Sequence, residues 1–241
     1  MATPGTLSSL SGAGGKMVAV PRHKAADRPM EAYWVLPDGP GSFPGVVVIH
    51  EIFGLNDNIR DIARRFAAEG YAALAVNLFS GKSRPLCLMG IFYGLLARPL
   101  KNGTVNDLQA ALNYLRAQVE VDKTRVGAIG FCMGGGYALQ LACVDGDMRA
   151  ASVFYGTNPR PLDTVARACP IVGSYPGMDF TAPMARKLRM KLEQYSVPHD
   201  IKTYPNTRHS FFNDRGPTYA PEAAADAWRR TLAFFEQHFN R

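Results

Sequence analysis

The residues best placed to do chemistry are centred on Cys132. The string Gly130-Phe131-Cys132-Met133-Gly134 fits the nucleophile-elbow pattern G-x-S-x-G, with cysteine in place of serine. In that pattern the nucleophile occupies a sharp, strained turn between a strand and a helix. The flanking glycines are small because side chains there would collide. The free N–H groups and positive end of the following helix would favour a thiolate on Cys132. The N–H of Met133 would lie where an oxyanion forms. The plain alternative is an inert buried cysteine in a tight turn. Cys87, Cys143 and Cys169 lack any elbow and read as core or cap residues.

A thiol nucleophile needs a base. Of the histidines after Cys132, His199 follows Pro198 and suits an exposed loop. His209 lies in Tyr204-Pro-Asn-Thr-Arg-His209-Ser-Phe-Phe, between the expected last strand and last helix. A neutral imidazole there could take the thiol proton and return it to a leaving group. A carboxylate should orient that imidazole. Asp179 follows an apolar strand and fits best, with Asp163 and Asp200 as competitors. The order nucleophile, acid, histidine is that of an α/β-hydrolase.

With Cys132, Asp179 and His209 in this order, the chain resembles the dienelactone hydrolase family. The strings Glu51-Ile-Phe-Gly54, Gly130-Phe-Cys-Met-Gly-Gly135 and His209-Ser-Phe211 carry the resemblance, which spans about residues 30–240. It implies an α/β-hydrolase that cleaves a lactone or carboxylic ester through a Cys-thioester. It implies that Glu51 interacts with Cys132 and helps generate the thiolate as substrate arrives. The N–H of Ile52 would join Met133 in the oxyanion hole. From the residues alone, Glu51 could instead cap the next helix or pair with an arginine.

Family members that act on dienelactone hold its carboxylate with two arginines, and both positions depart here. The Asp-Leu-Tyr-x-Arg string reads Asn77-Leu-Phe-Ser80-Gly81, leaving Lys82 or Arg84 as shifted substitutes. Four residues after His209 stands Asn213, with Arg215 two further on. Lysine does not replace arginine in bidentate carboxylate binding. The candidate substrate contacts are Lys82, Arg84, Ser210 and Phe53.

These residues require a particular scaffold. Short β-rich runs alternate with helical ones: strands at 46–49, 72–78, 125–131, 151–155, 170–174 and 200–204, and helices at 58–69, 105–119, 134–143, 184–195 and 221–239. Such alternation predicts an α/β-hydrolase fold, a mostly parallel central sheet with helices on both faces. Earlier strands at 16–20 and 30–36 would form an antiparallel edge. Residues 1–15, rich in Ser, Gly and Ala, read as a disordered leader, and 16–241 as one domain. Residues 80–103 fit no strand–helix unit and could form a small cap.

Composition narrows the function. Of 241 residues, 47% are hydrophobic and 20% charged, enough for a sizeable core without metal or disulfide staples. The net charge is +7, but Lys and Arg are scattered. Arg64–Arg65 and Arg229–Arg230 read as solvated helix faces, so no nucleic-acid partner is expected. The segment 87–100 is apolar but too short to span a membrane. Four cysteines without CxxC spacing suggest reduced thiols and a cytoplasmic location. No metal cluster or dinucleotide fingerprint is present, so neither metal nor cofactor is expected. The expected partner is a small ester or lactone, taken by a monomer or small homo-oligomer. The rival readings are a ligand-binding protein or a thiol redox sensor on a hydrolase scaffold.

Overall fold

The computed structural model describes residues 14–80, 84–97, 100 and 102–240. Most of the expected leader, and Lys82, lie outside them. Arg84 opens a helix, but its side chain is also outside the described part.

Eight strands form one sheet: β1 (Lys16–Val20), β2 (Met30–Val35), β3 (Phe43–Ile49), β4 (Ala72–Val76), β5 (Val121–Phe131), β6 (Ala151–Phe154), β7 (Ile171–Pro176) and β8 (His199–Tyr204). Their order is β1-β2-β4-β3-β5-β6-β7-β8. The β1–β2 and β2–β4 pairs are antiparallel, and the pairs from β4 to β8 are parallel. The expected antiparallel edge and parallel centre are therefore both found. Val46 to Ile49 are fully buried because helices cover both faces of β3.

The helices are α1 (Asp57–Ala68), α2 (Arg84–Ala97), α3 (Gly103–Arg116), α4 (Met133–Val144), α5 (Ala182–Gln194) and α6 (Pro221–Phe239). Helix α1 shows why the sequence folds as it does. The Asn56 side chain accepts from the Ile59 N–H at 3.1 Å, capping the first turn. Ile59, Ile62, Ala63 and Phe66 recur at helical spacing and are buried. Full burial of such side chains contributes about 1.5–3 kcal/mol each. Gly70 then reverses the chain at φ 86°.

Two apolar layers result. Helices α1 and α6 cover one face of the sheet, and α2 to α5 the other. Helix α4 is buried from Met133 to Cys143, so it is the central helix of its layer. The helix found in the 80–103 segment docks on it: the Tyr137 hydroxyl donates to the Ile91 carbonyl at 2.7 Å.

Several boundaries differ from expectation. Strand β4 ends at Val76, because the Leu78 N–H turns to donate to His50. Strand β5 starts at Val121, where Phe43 pairs across an irregularity in the β3 register. A 3₁₀ turn at Leu162–Arg167 was not anticipated. His199 opens β8, with its Nδ1 near the Val197 carbonyl, instead of lying in an exposed loop.

The arginine pairs are also not simply solvated. Arg65 joins Asp61 and Asp214, while Arg230 reaches Asp200, Ser174 and the Tyr204 hydroxyl. No helix among the described residues is long and apolar enough to cross a membrane.

Register positions the candidate site. Ile49 pairs with Gly130, Phe131 with Phe154, Phe154 with Ser174, and Pro176 with Tyr204. The carboxyl ends of β3, β5, β6, β7 and β8 therefore stand in a row. Successive strands run outward in opposite directions from β3 and β5. Ligands of open α/β sheets bind in the crevice at such a switch point.

Candidate active site

Cys132 sits between β5 and α4 at φ 54°, ψ −116°. That conformation is costly for any residue with a Cβ and persists because the surroundings impose it. The Cys132 N–H donates to the Phe154 carbonyl at 3.0 Å, pinning the turn to β6. A Cβ on Gly130 would lie 2.0 Å from the Gly134 carbonyl oxygen. One on Gly134 would lie 2.3 Å from that of Ile49. The elbow therefore closes only with glycine at both positions.

The expected thiolate is not favoured in the free protein. Burial and the neighbouring Glu51 carboxylate push the Cys132 thiol up to about 12, with Asp179 adding to the effect. The Met133 N–H acts in the opposite direction, as the helix terminus should. Desolvation and negative charge outweigh it, so the resting group is a thiol.

His209 lies in the loop after β8. Its Nδ1–H donates to Asp179 Oδ2 at 2.6 Å. The Thr181 hydroxyl donates to the same oxygen at 2.8 Å. Of the competing acids, Asp163 is bound by Lys191 and the Tyr195 hydroxyl, and Asp200 pairs with Arg230. The imidazole is flanked by Phe180, stacked at 5.5 Å, and by Tyr155 at 4.9 Å.

Glu51 follows β3 and is only 4% exposed. The Ser210 hydroxyl donates to its Oε1 at 2.8 Å, and the Tyr155 hydroxyl also hydrogen-bonds its carboxylate. It neither caps α1, where Asn56 does so, nor forms an ion pair with an arginine among the described residues. Ser210, a candidate substrate contact, is thus a partner of Glu51.

Tyr155 was not singled out by the sequence reading. It is fully buried at φ 40°, directly after β6. Burial and Glu51 hold its phenol well above the ordinary value, so it remains a hydrogen-bond donor. No motif marks it; only the adjacency of β5 and β6 could have pointed to it.

The remaining candidates divide. Phe53 and Ile52 follow Glu51 and are exposed, as are Met178 and Phe180 on the opposite loop. Arg215 reaches Asp57 of α1 at 3.7 Å, and Asn213 is tied into a turn with Ser210 and Arg215. Among the described residues no cluster of side chains could hold a metal.

A strained elbow at a switch point, followed by an Asp–His pair in the next loops, defines the α/β-hydrolase class. Known proteins narrow that. The family model described as "Dienelactone hydrolase family" matches residues 30–239. A protein of Saccharolobus solfataricus, provisionally named a carboxymethylenebutenolidase, is 34% identical, covering 86% of this chain and 94% of that one. A provisionally named dienelactone hydrolase from Klebsiella pneumoniae superposes with a TM-score of 0.81 at 27% identity, over 94% of this chain and 100% of that one. A dienelactone hydrolase-like promiscuous phosphotriesterase from metagenomic libraries gives 0.80 at 26%, over 94% and 98%. The chain belongs to the dienelactone hydrolase family and is a hydrolase of the lactone- and ester-cleaving type.

Proposed function

We propose that the chain hydrolyses a small ester or lactone through a thioester on Cys132. The observation that carries this reading is the 2.6 Å bond from His209 to Asp179, set in the loops beside the strained elbow of Cys132. In the resting protein Cys132 is a thiol, protected from adventitious chemistry by its high pKa.

As substrate displaces solvent, the thiol proton passes to His209, with Glu51 assisting. The sulfur adds to the carbonyl carbon, and the N–H groups of Met133 and Ile52 hold the oxyanion. Collapse expels the alkoxide, which takes the proton from His209. His209 then deprotonates a water that attacks the thioester, releasing the acid and restoring the thiol. Asp179 keeps the imidazole in the right tautomer throughout. Tyr155 and Ser210 hold Glu51 in place. Ile52, Phe53, Met178 and Phe180 supply an apolar rim for the acyl or alcohol part.

The test compares wild type with Cys132→Ala and His209→Ala on a chromogenic short acyl ester. Acid-quenched wild type is also weighed by mass spectrometry. Turnover lost by orders of magnitude in both variants, and a wild-type mass raised by one acyl group, are expected. Cys132→Ala turning over as fast as wild type would overturn the assignment.

A further inference from the structure

The reaction described above uses one histidine and leaves a second unexplained. His50 is fully buried between the ends of β3 and β4, its ring centroid 4.9 Å from that of Phe79. Its Nε2 lies 3.0 Å from the Leu78 backbone nitrogen. A backbone N–H can only donate, so Nε2 accepts and the ring proton resides on Nδ1. Nδ1 lies 2.5 Å from the carbonyl oxygen of Glu51, which can only accept. Two backbone groups of fixed character thus select one tautomer. With both nitrogens occupied, His50 is not available as a base.

The carbonyl it holds belongs to the Glu51–Ile52 peptide. In a planar trans peptide the C=O and N–H point in opposite directions. Leu78 and Phe79 follow β4, which flanks β3 on one side; Cys132 follows β5, which flanks it on the other. Drawing the carbonyl toward the β4 side turns the Ile52 N–H toward the β5 side, where the thiol is. The Gly54 N–H donates to the same carbonyl at 3.2 Å, completing the anchor. No backbone carbonyl takes the Ile52 N–H among the described residues. Donation to a carbonyl also polarises the amide and strengthens its N–H as a donor.

We propose that His50 is a positioning residue of the oxyanion hole: as the Nδ1–H tautomer it clamps the Glu51–Ile52 peptide so that the Ile52 N–H meets the tetrahedral oxygen. This rests on the reading of Cys132 as nucleophile. It predicts that His50 acts on the transition state and not on substrate binding.

The experiment measures kcat, KM and Tm for wild type, His50→Leu and His50→Gln on the chromogenic ester, with inhibition by a trifluoromethyl ketone. Loss of one oxyanion donor costs about 10²–10³ in kcat; a donor left in place but misaimed should cost about 10–100-fold. His50→Leu should show that loss, with KM within about twofold and ketone affinity falling in step with kcat/KM. His50→Gln, whose amide can donate to one side and accept from the other, should recover most of it. The tautomer is read on wild type by nitrogen NMR, with a protonated Nδ1 expected.

Wild-type kcat in His50→Leu would overturn the proposal. So would a protonated Nε2 in the wild-type spectrum. So would matched losses in kcat, KM and Tm that glutamine does not repair, which mark a merely structural role. A wild type inert on every ester would overturn the hydrolase reading and this proposal together, a result distinct from the other three.

Discussion

At the carboxyl ends of the strands non-glycine residues are repeatedly forced into the left-handed region; at the amino ends glycine mostly takes that conformation, at Gly39 and Gly70, with Ser196 before β8 as the non-glycine case. Cys132 after β5, Tyr155 after β6, and Asn206 and Ser210 after β8 all have positive φ. Such residues cost on the order of 1–3 kcal/mol each. They are held by bonds to neighbouring strands, as with the Tyr155 N–H on the Ser174 carbonyl at 2.9 Å. The amino ends rely on side chains instead: Arg116 on Asp145, Arg125 on Asp122, and Arg149 on the Thr124 carbonyl. Left-handed non-glycine residues therefore gather at the edge that carries Cys132 and His209, four of them against Ser196 at the other edge.

The sharpest challenge to that contrast is chemical. Asp179→Asn keeps the shape of the site but lets His209 take the wrong tautomer. A fall of about 10²–10⁴ in kcat is expected, whereas Asp122→Asn at the opposite edge should leave kcat unchanged. Steady-state kinetics on one ester decides both.

Two glycines extend the contrast to stability. A methyl on Gly130 would meet backbone at 2.0 Å, while one on Gly146 meets nothing within 4 Å. Gly130→Ala should cost more than about 3 kcal/mol or abolish folding, and Gly146→Ala less than about 1 kcal/mol. Urea denaturation giving equal midpoints for the two would break the comparison.

Alkaline pH should act at the strained edge too. The Cys132 thiol is raised to about 12 from an ordinary 9, so the folded state retains its proton while the unfolded state loses it. The stability this represents is complete below pH 9 and is lost as pH rises toward 12. In the absence of substrate, alkylation of Cys132 by iodoacetamide should keep accelerating above pH 9. A plateau near pH 9 would show an ordinary thiol.

Smaller effects follow. Tyr155→Phe removes one donor from buried Glu51 and should cost about 1–3 kcal/mol in a urea titration. Arg125→Ala removes a half-exposed ion pair worth about 0–1 kcal/mol. Its activity should match wild type.

Much of the candidate site is legible in the chain because its motifs are local. The elbow needs glycines two residues either side of Cys132, and that spacing survives in one dimension. Asp179 and His209 could be placed because each follows a recognisable strand. Tyr155 could not, since its meeting with Glu51 depends on how β6 lies beside β5 and on an unusual φ that tyrosine does not announce. The protonation of Cys132 is not legible there, because a helix terminus is visible in sequence while burial and the approach of Glu51 are not. The bond from Ser210 to Glu51 is likewise hidden, because nothing along the chain brings residue 210 to residue 51.

Among the partly buried hydrophobic side chains of the described residues, Cys132 alone packs against both apolar layers. The sulfur of Cys132 is therefore a point of contact common to both layers, the one under α1 and α6 and the one under α2 to α5. An engineer repacking one layer could follow the result through the reactivity of one thiol, without touching the other layer.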